Sequence, residues 1–297
     1  MRLAVTGLDG QVVRAMIERA PRGVELIALG RSRLDLAVRE SVLAALRAAR
    51  CDVIVNTAGY TEVDRAESEP DAAMRVNGDG AGYVAEIAAE LRAPLIHLST
   101  DYVFDGSLDR PYREDDATRP ISAYGRSRLT GEQRIASVHP DHAILRTSWV
   151  YSPFGPNFVA SMLSLSETHA QARVVADQRG NPTYALDIAD ALFAIAGRMR
   201  GDPSPALRGV FHLVGGGEAS WAEFAEAIFA EAAAHGRAPV KVEPIATADY
   251  PTAARRLTNS RLDSSKLAAT FGVTLPNWRN SVRECVARAI APATAVT

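Results

Sequence analysis

The sequence predicts an α/β fold in which a doubly wound parallel sheet is accompanied by a smaller C-terminal substrate-binding domain. Short apolar segments alternate with amphipathic helical segments through the first half of the chain, which is the pattern of a parallel sheet wrapped by helices. The first apolar segment runs directly into a glycine-containing turn, and the alternation becomes less regular after residue 148. We therefore expect a first domain over 1–150 and a mainly substrate-binding part over 151–297, with elements of about 173–214 rejoining the first domain.

The individual elements follow from hydrophobic periodicity. Strands are predicted at 2–6, 25–29, 52–56, 94–99 and 143–148, with helices at 11–19, 39–49, 71–91 and 123–138. Further along, helices are predicted at 157–168 and 186–199, and strands at 173–176 and 210–214. Ser220 and Glu223 then have the spacing of a capping box at the start of another helix.

Composition excludes several classes of partner. The formal net charge of -2 and the absence of a basic run argue against nucleic acid and membrane surfaces as partners. No apolar stretch approaches the roughly 20 residues of a membrane span. The first residues enter a strand at once, which leaves no room for a signal peptide, and two cysteines fit a reducing compartment. We expect a cytoplasmic protein, and the spacing of histidines and cysteines predicts no catalytic metal.

A hydroxyl, a phenol and a cation form the most informative group of residues. Thr100 ends a buried apolar strand, and Tyr124 and Arg128 follow four residues apart in a predicted helix. Residues at that spacing share a helix face, so a fixed cation at Arg128 would favour the phenolate of Tyr124. These are the groups needed to reduce a carbonyl with a nicotinamide. Lysine is usual at the fourth residue of this pattern, and here it is arginine.

Two segments predict a dinucleotide site. Gly7 and Gly10 follow the first strand, where glycines allow backbone N–H groups to approach a pyrophosphate at a helix N-terminus. Arg31 and Arg33 follow the second strand before any acidic residue, which favours NADP because an arginine accommodates the 2′-phosphate. Two solvated arginines in a polar loop are the alternative, and NADH remains a possible cofactor.

The third strand ends with small residues that suit a backbone lining the cofactor, among them Ala58 and Gly59. Asn77 lies in the predicted helix 71–91, where a short polar side chain is locally unfavourable. We expect it to make a structural hydrogen bond near the site.

Several motifs resemble those of the extended short-chain dehydrogenase/reductases, which have a Rossmann-like fold, and more narrowly the dTDP-4-dehydrorhamnose reductase family. The resemblance extends over nearly the whole chain. It is carried by Gly7-x-x-Gly10-Gln11, Ser99-Thr100-Asp101-Tyr102-Val103-Phe104-Asp105-Gly106, Tyr124-Gly125, Gly131-Glu132, residues 145–151, Asp177-Gln178-x-Gly180-x-Pro182-Thr183 and Asn259-Ser260-Arg261-Leu262-Asp263.

The resemblance implies a role for each matching residue. Thr100 would polarise the substrate carbonyl, Tyr124 would donate the proton, and Arg128 would replace the family's lysine at the nicotinamide ribose. The remaining implied contacts are Gly10, Gln11 and Val12 with the pyrophosphate, Asp35 and Leu36 with the adenine, Gly59, Tyr60 and Thr61 with the nicotinamide side, and Asp101, Tyr102 and Trp149 with the sugar. Arg256 could pair with the diphosphate of the substrate as a planar two-donor fork, although a surface arginine is an equal alternative. Some relatives use Mg²⁺ at a dimer interface, and a homodimer is possible, but the sequence shows no such ligands.

The function implied is NADPH-dependent reduction of the C4 carbonyl of dTDP-4-dehydro-L-rhamnose to dTDP-L-rhamnose, a nucleotide-sugar precursor of polysaccharides. One alternative is a nucleotide-sugar dehydratase or epimerase, although Tyr102 stands where related dehydratases have an acid. A second alternative is a non-catalytic NADP-binding regulatory subunit of the same fold, which the arginine at 128 keeps open because it cannot exchange protons as lysine does.

Overall fold

A computed structural model describes residues 1–291, so the end of the predicted C-terminal part, residues 292–297, lies outside the described residues. The strands in chain order are β1 (Arg2–Thr6), β2 (Glu25–Leu29), β3 (Val53–Asn56), β4 (Leu95–Thr100), β5 (His142–Thr147), β6 (Val150–Tyr151), β7 (Gln171–Val175), β8 (Arg179–Gly180), β9 (Thr183–Tyr184), β10 (Gly209–His212), β11 (Ala219–Ser220) and β12 (Lys241–Ile245). The α-helices are α1 (Gln11–Arg19), α2 (Arg39–Ala49), α3 (Arg65–Ser68), α4 (Pro70–Ala73), α5 (Gly80–Leu91), α6 (Ala123–Val138), α7 (Phe158–Leu165), α8 (Ala185–Gly201), α9 (Trp221–Ala234), α10 (Ser265–Phe271) and α11 (Trp278–Ile290).

The predicted α/β class is confirmed by a central parallel sheet. Within the described range this sheet has six strands in the order β10-β5-β4-β3-β1-β2, and every neighbouring pair is parallel. Parallel neighbours need a crossover connection, and the helices α1, α2, α5 and α6 lie in those connections. The bounds of β1, β2, α1, α2 and α6 are those predicted from periodicity.

Both faces of the sheet are covered, as the strands' continuous apolar character requires. Leu3 and Val5 pack on one face in a core that includes residues of α1 and α8, whereas Ala4 between them packs on the other face with residues of α2 and α5. The core therefore has two layers separated by the sheet, which is the doubly wound arrangement.

The chain after β5 contributes short two-stranded sheets and returns once to the main sheet. β7 pairs with β12, β8 with β11, and β6 with β9, while α9 packs against both α7 and α11. α8 lies against α1, and β10 then extends the main sheet beside β5. The capping box of α9 forms as predicted, with Ser220 accepting from the N–H of Glu223 and the Glu223 carboxylate accepting from the N–H of Ser220.

The helix predicted over 71–91 is interrupted. α4 and α5 are joined by a π-helical turn, Met74–Asp79, and this turn contains Asn77. Hydrophobic periodicity alone does not reveal such a turn because the buried face continues through it, and π turns within helices are frequent at functional sites.

The strand order changes direction between β1 and β3, and a ligand crevice is expected at the carboxyl ends of the strands there. The Thr6 hydroxyl donates to Asn56 Oδ1 at 2.6 Å and accepts the N–H groups of Thr57 and Ala58 at 3.1 Å. These bonds hold the loop after β3 against the end of β1.

Among residues 1–291, no helix combines the length and apolar character needed to cross a membrane.

Two glycines let α6 approach its neighbours at backbone distance. A Cβ on Gly125 would collide with the carbonyl oxygen of Tyr102, and one on Gly131 would collide with the carbonyl oxygen of Asn77. Backbone atoms cannot swing aside as a flexible side chain can, so α6 is seated against the end of β4 and the π-helical turn.

We predict that Gly131→Ala destabilises the protein by roughly 1–3 kcal/mol, the usual cost of overpacking, because α6 must move outward. Gly197→Ala is the matched control: this glycine also lies within a helix, but a Cβ there would meet no atom within 4 Å. It should stabilise by about 0.5–1 kcal/mol through helix propensity. Urea unfolding of both variants measures the difference, and equal effects would show that α6 is not seated by this contact.

Candidate active site

Two cavities lie at the carboxyl ends of the central strands. The larger, of about 600 Å³, is bounded by the ends of β4 and β5, the start of α6 and segments of the C-terminal part. The smaller, of about 260 Å³, lies at the ends of β1, β2 and β3. Of the residues predicted from the sequence, Gln11, Thr61, Thr100, Asp101, Tyr102, Tyr124, Trp149 and Arg256 line the larger cavity, and Gly7, Arg31, Asp35, Leu36, Ala58 and Gly59 line the smaller one.

The hydroxyl of Thr100 is held at the end of β4, where a single turn of 3-10 helix begins. Its Oγ1 accepts the N–H of Tyr102 at 3.2 Å and donates to Asp101 Oδ1 at 2.9 Å. Both Thr100 and Asp101 are buried. The hydroxyl is therefore fixed in position on the wall of the larger cavity.

The phenol of Tyr124 reaches the same cavity from the first turn of α6. The helix begins after Ser122, whose side chain accepts the N–H of Gly125 at 3.0 Å and so caps it. The ring of Tyr124 meets the ring of Tyr102 edge to face, with centroids 5.5 Å apart. Burial raises the pKa of Tyr102, which therefore stays neutral beside it.

Arg128 lies one helical turn below Tyr124 and is only 6% exposed. Its guanidinium donates to the carbonyl oxygen of Leu98 in β4. A Cβ on Gly59 would lie 2.7 Å from Arg128 Nη1, so the charge sits beneath the loop that follows β3. Within residues 1–291 the hydrogen bonds of Arg128 do not include the phenol of Tyr124. Any effect on that phenol would be electrostatic, across the buried face of α6.

Asn77 connects this loop to α6. Its Oδ1 accepts the N–H of Tyr60 at 2.8 Å, and its Nδ2 donates to the Tyr60 carbonyl and the Ser127 hydroxyl, each at 3.0 Å. The predicted structural hydrogen bond near the site is therefore present. Tyr60 itself turns its phenol outward to Glu69, at 3.0 Å, so only its backbone is held at the site.

A buried ion pair that sequence reasoning missed lies behind Thr100. Glu132 on α6 and Arg146 on β5 form a two-point contact with Nη2 to Oε2 at 2.7 Å, and the Ser99 hydroxyl also donates to Glu132. Arg146 lies over the ring of Phe104, with 5.1 Å between its guanidinium carbon and the ring centroid. The signal available was a glutamate one turn beyond Arg128, together with an arginine inside an apolar strand.

The sugar side of the cavity is aromatic. Trp149 has a backbone φ of 47°, a left-handed conformation uncommon for a non-glycine residue, and its ring stacks on Trp221 with centroids 3.6 Å apart. Phe158 lies against Trp221 at 4.7 Å. Trp149 was predicted to contact the sugar, whereas Trp221 and Phe158 were not identified, because they reach the cavity from distant helices. Strained backbone of this kind is typical of functional sites.

Arg256 reaches the larger cavity from a loop of the C-terminal part. Asp64 holds it from the opposite side, with 2.5 Å between Nη2 and Oδ2, and also accepts the N–H of Ala254 at 2.9 Å. The other terminal nitrogen, Nη1, is buried without a partner in the described chain. The guanidinium thus lies at the cavity with one terminal nitrogen that the described chain does not engage.

The turn from β1 into α1, of which Gly7 lines the smaller cavity, has the features of an anion-binding helix start. Gly7 has a φ of 102°, which a side chain would strain, and Gly10 begins α1 with no side chain capping the helix. The N–H groups of Gln11 and Val12 in the first turn are thus available to a phosphate. The Gln11 side chain is engaged elsewhere, accepting from the Ser152 hydroxyl at 2.7 Å. Arg31 lines this cavity, whereas Arg33 does not.

Comparison with known proteins identifies relatives along the whole chain. A family model described as the RmlD substrate binding domain matches residues 1–290. A dTDP-4-dehydrorhamnose reductase of Sinorhizobium fredii is 54% identical over 96% of this chain and 97% of its own length. The crystal structure of such a reductase from Clostridium acetobutylicum is similar with a TM-score of 0.90, 33% identity and coverage of 97% and 99%. The corresponding structure from Bacillus anthracis, in complex with NADP, has a TM-score of 0.89, 32% identity and coverage of 96% and 98%.

Because Glu132 and Arg146 are both buried, we predict that Arg146→Met alone destabilises the protein by about 3–5 kcal/mol, since it leaves an unpaired carboxylate in the interior. The double variant Glu132→Leu with Arg146→Met should recover much of that loss. Arg47→Met, which breaks an exposed two-point contact with Glu90, is the control and should have a much smaller effect. Chemical denaturation measures all three, and a double variant no more stable than Arg146→Met alone would contradict the account.

Proposed function

The chain belongs to the RmlD substrate binding domain family, and we propose that it reduces the C4 carbonyl of dTDP-4-dehydro-L-rhamnose with NADPH, giving dTDP-L-rhamnose. The observation that carries the proposal is the placement of the Thr100 hydroxyl and the Tyr124 phenol on one cavity wall. The Arg128 guanidinium lies beneath the adjoining loop, at Gly59. A homodimer, a cytoplasmic location and a division of the chain near residue 150 remain predictions from the sequence.

The smaller cavity and the adjoining part of the larger one fit a dinucleotide. The left-handed Gly7 and the uncapped start of α1 suit a pyrophosphate, and Arg31 stands where a 2′-phosphate would be recognised. Asp35 and Leu36 line the same cavity and are proposed to contact the adenine. Gly59 lines the smaller cavity and Thr61 lines the larger one, so the dinucleotide would extend from the first cavity into the second. When bound, NADPH supplies the hydride that adds to C4 of the sugar.

The chain's own residues complete the reduction. The Thr100 hydroxyl would donate to the carbonyl oxygen and withdraw electron density from C4. As the carbon–oxygen double bond becomes single, the Tyr124 phenol gives its proton to that oxygen, which leaves the product with a hydroxyl. The buried positive charge of Arg128 favours the phenolate left behind.

The remaining contacts would orient the substrate. Asp101 and Tyr102 line the cavity beside Thr100, and the flat face of Trp149 is suited to the apolar side of a sugar ring. Arg256 lines the same cavity, where its guanidinium is suited to the diphosphate. Binding energy from the nucleotide could then position the reacting carbonyl.

The experiment that tests the proposal compares the nucleotide-linked 4-keto sugar with the free sugar as oxidants of NADPH. Turnover is expected with the nucleotide-linked sugar, and the free sugar should react poorly because it lacks the remote contacts. Equal turnover of both would contradict the role of the nucleotide. Tight NADPH binding without turnover of either would favour the regulatory alternative, and elimination or epimerised products would favour a dehydratase or epimerase.

NADPH should bind more tightly than NADH, and Arg31→Ala should reduce the difference by about 1.5–3 kcal/mol, the worth of a charge-assisted hydrogen bond. The variant should lose affinity for NADPH and keep its affinity for NADH, because only NADPH has the 2′-phosphate. Arg33→Ala is the matched control, since Arg33 follows the same strand but does not line the cavity. Titration of both cofactors measures these affinities, and equal losses in the two variants would contradict a specific role for Arg31.

Tyr124→Phe should lower kcat by roughly 10²–10⁴, the usual contribution of a positioned proton donor. Arg128→Lys should retain turnover because it keeps a cation at this place. Arg128→Met should weaken NADPH binding and move the loss of the Tyr124 proton to higher pH, since no charge then favours the phenolate. The pH–rate profiles of the variants measure this shift. A methionine variant with the parent's rate and profile would show that Arg128 is not the partner of the phenol.

A further inference from the structure

The hydrogen bond between Thr100 and Asp101 decides which acceptor the hydroxyl proton of Thr100 can face. A hydroxyl has one proton, so it can donate to only one acceptor at a time. The Tyr102 N–H already occupies one lone pair of Thr100 Oγ1, and Asp101 Oδ1 lies 2.9 Å away. If Asp101 is a carboxylate, it can only accept, and the Thr100 proton must point to it. A carbonyl in the cavity would then meet a lone pair of Thr100 instead of a proton.

The arginines near Asp101 are engaged with other groups. Arg256, from the C-terminal loop, is held by Asp64. Arg128, on α6, donates to the Leu98 carbonyl. Arg146, on β5, is paired with Glu132 of α6. The titratable phenols around the turn are those of Tyr102 and Tyr124, whose rings meet edge to face.

Asp101 itself is 3% exposed, and within the described chain it has no ion-pair partner. Its second oxygen, Oδ2, is buried and accepts no hydrogen bond there. An unpaired carboxylate in such a place is costly, so the neutral acid is favoured. Consistent with this, burial raises the pKa of Asp101 to about 7, and the hydrogen bond from the Thr100 hydroxyl offsets only part of that rise.

We propose that Asp101 works in its protonated form as a positioning residue, donating to Thr100 Oγ1 and so turning the single Thr100 proton toward the carbonyl of the substrate. This role rests on the proposed function. The proton balance closes: Asp101 keeps its proton throughout, Thr100 shares its own with the carbonyl oxygen, and Tyr124 gives up the proton that the product acquires.

The role has a pH signature in kcat. The protonated fraction of Asp101 falls as pH rises through its pKa, so kcat should be constant at mildly acidic pH and fall above neutrality. A guanidinium keeps its charge throughout this range. A variant of Asp101 separates this decline from any other cause of lower kcat at high pH.

The experiment measures kcat between roughly pH 5.5 and 8.5 for the parent, Asp101→Asn and Asp101→Leu. The amide of Asn can donate to Thr100 at every pH, so this variant should lose less than about tenfold at acidic pH and should lack the decline near neutrality. Leu can neither donate to Thr100 nor accept its proton, so the Thr100 hydroxyl remains but loses the bond that orients it. Asp101→Leu should therefore lose more activity than Asp101→Asn but less than the roughly 10²–10³-fold that removal of a donor to the reacting oxygen costs, and it should also lack the decline near neutrality. Thermal melting checks that each variant is folded.

Thr100→Val provides a second test, because Asp101 acts through the Thr100 hydroxyl. In the Thr100→Val background, Asp101→Leu should cost little further activity. The proposal would be overturned if Asp101→Asn shows the same decline near neutrality as the parent, or if Asp101→Leu has its full effect without the Thr100 hydroxyl. A parent without turnover at any pH would overturn the proposed function and this role with it.

A readout independent of activity follows from the same titration. Because the pKa of Asp101 is raised in the folded protein, the stabilisation from its proton is present at acidic pH and is lost as pH rises through about 7. The melting temperature of the parent should therefore fall, relative to that of Asp101→Asn, as the pH rises from acidic values to about 7. A difference that does not change with pH would show that Asp101 is ionised throughout, which overturns the proposal even if the parent is active.

Discussion

The docking of α6 onto the carboxyl end of β4 is the constraint on which the rest of the site depends. Arg128 donates to the carbonyl of Leu98, and Glu132 accepts from the hydroxyl of Ser99. Two glycines of the same helix allow its backbone to approach the neighbouring turns closely. The strand supplies the Thr100 hydroxyl and the helix supplies the Tyr124 phenol, so one rigid contact sets their relative position.

The same contact explains how so much charge is held in the interior. Each buried guanidinium at the site donates a hydrogen bond either to a carboxylate or to a backbone carbonyl of β4. The buried carboxyl of Asp101 differs from these groups because no oppositely charged group is paired with it. Its neighbours in the described chain are hydroxyl and backbone donors. A neutral acid beside the reacting hydroxyl and a permanent cation beneath the cofactor loop are therefore two results of one packing arrangement.

The sequence allowed much of this to be predicted. The bounds of β1, β2, α1, α2 and α6 follow from apolar periodicity, and the glycine turn, Thr100, Tyr124 and Arg128 are found by local spacing. What could not be predicted depends on distant partners. The Glu132–Arg146 pair joins a helix to a strand, the Trp149–Trp221 stack joins segments far apart in the chain, and Asp64 meets Arg256 across 192 positions. The π-helical turn at Asn77 is a local feature, but the pattern of buried residues continues through it.

The central claim is that a hydride is delivered to C4 of the sugar within this cavity. The most direct measurement uses NADPH carrying deuterium at both hydrogen positions of C4 of the nicotinamide, with mass spectrometry and NMR of the sugar product. The account predicts a single deuterium at C4 of dTDP-L-rhamnose and a slower reaction with the labelled cofactor if hydride transfer limits the rate. Product without the label, or tight binding of NADPH with no transfer at all, would contradict it.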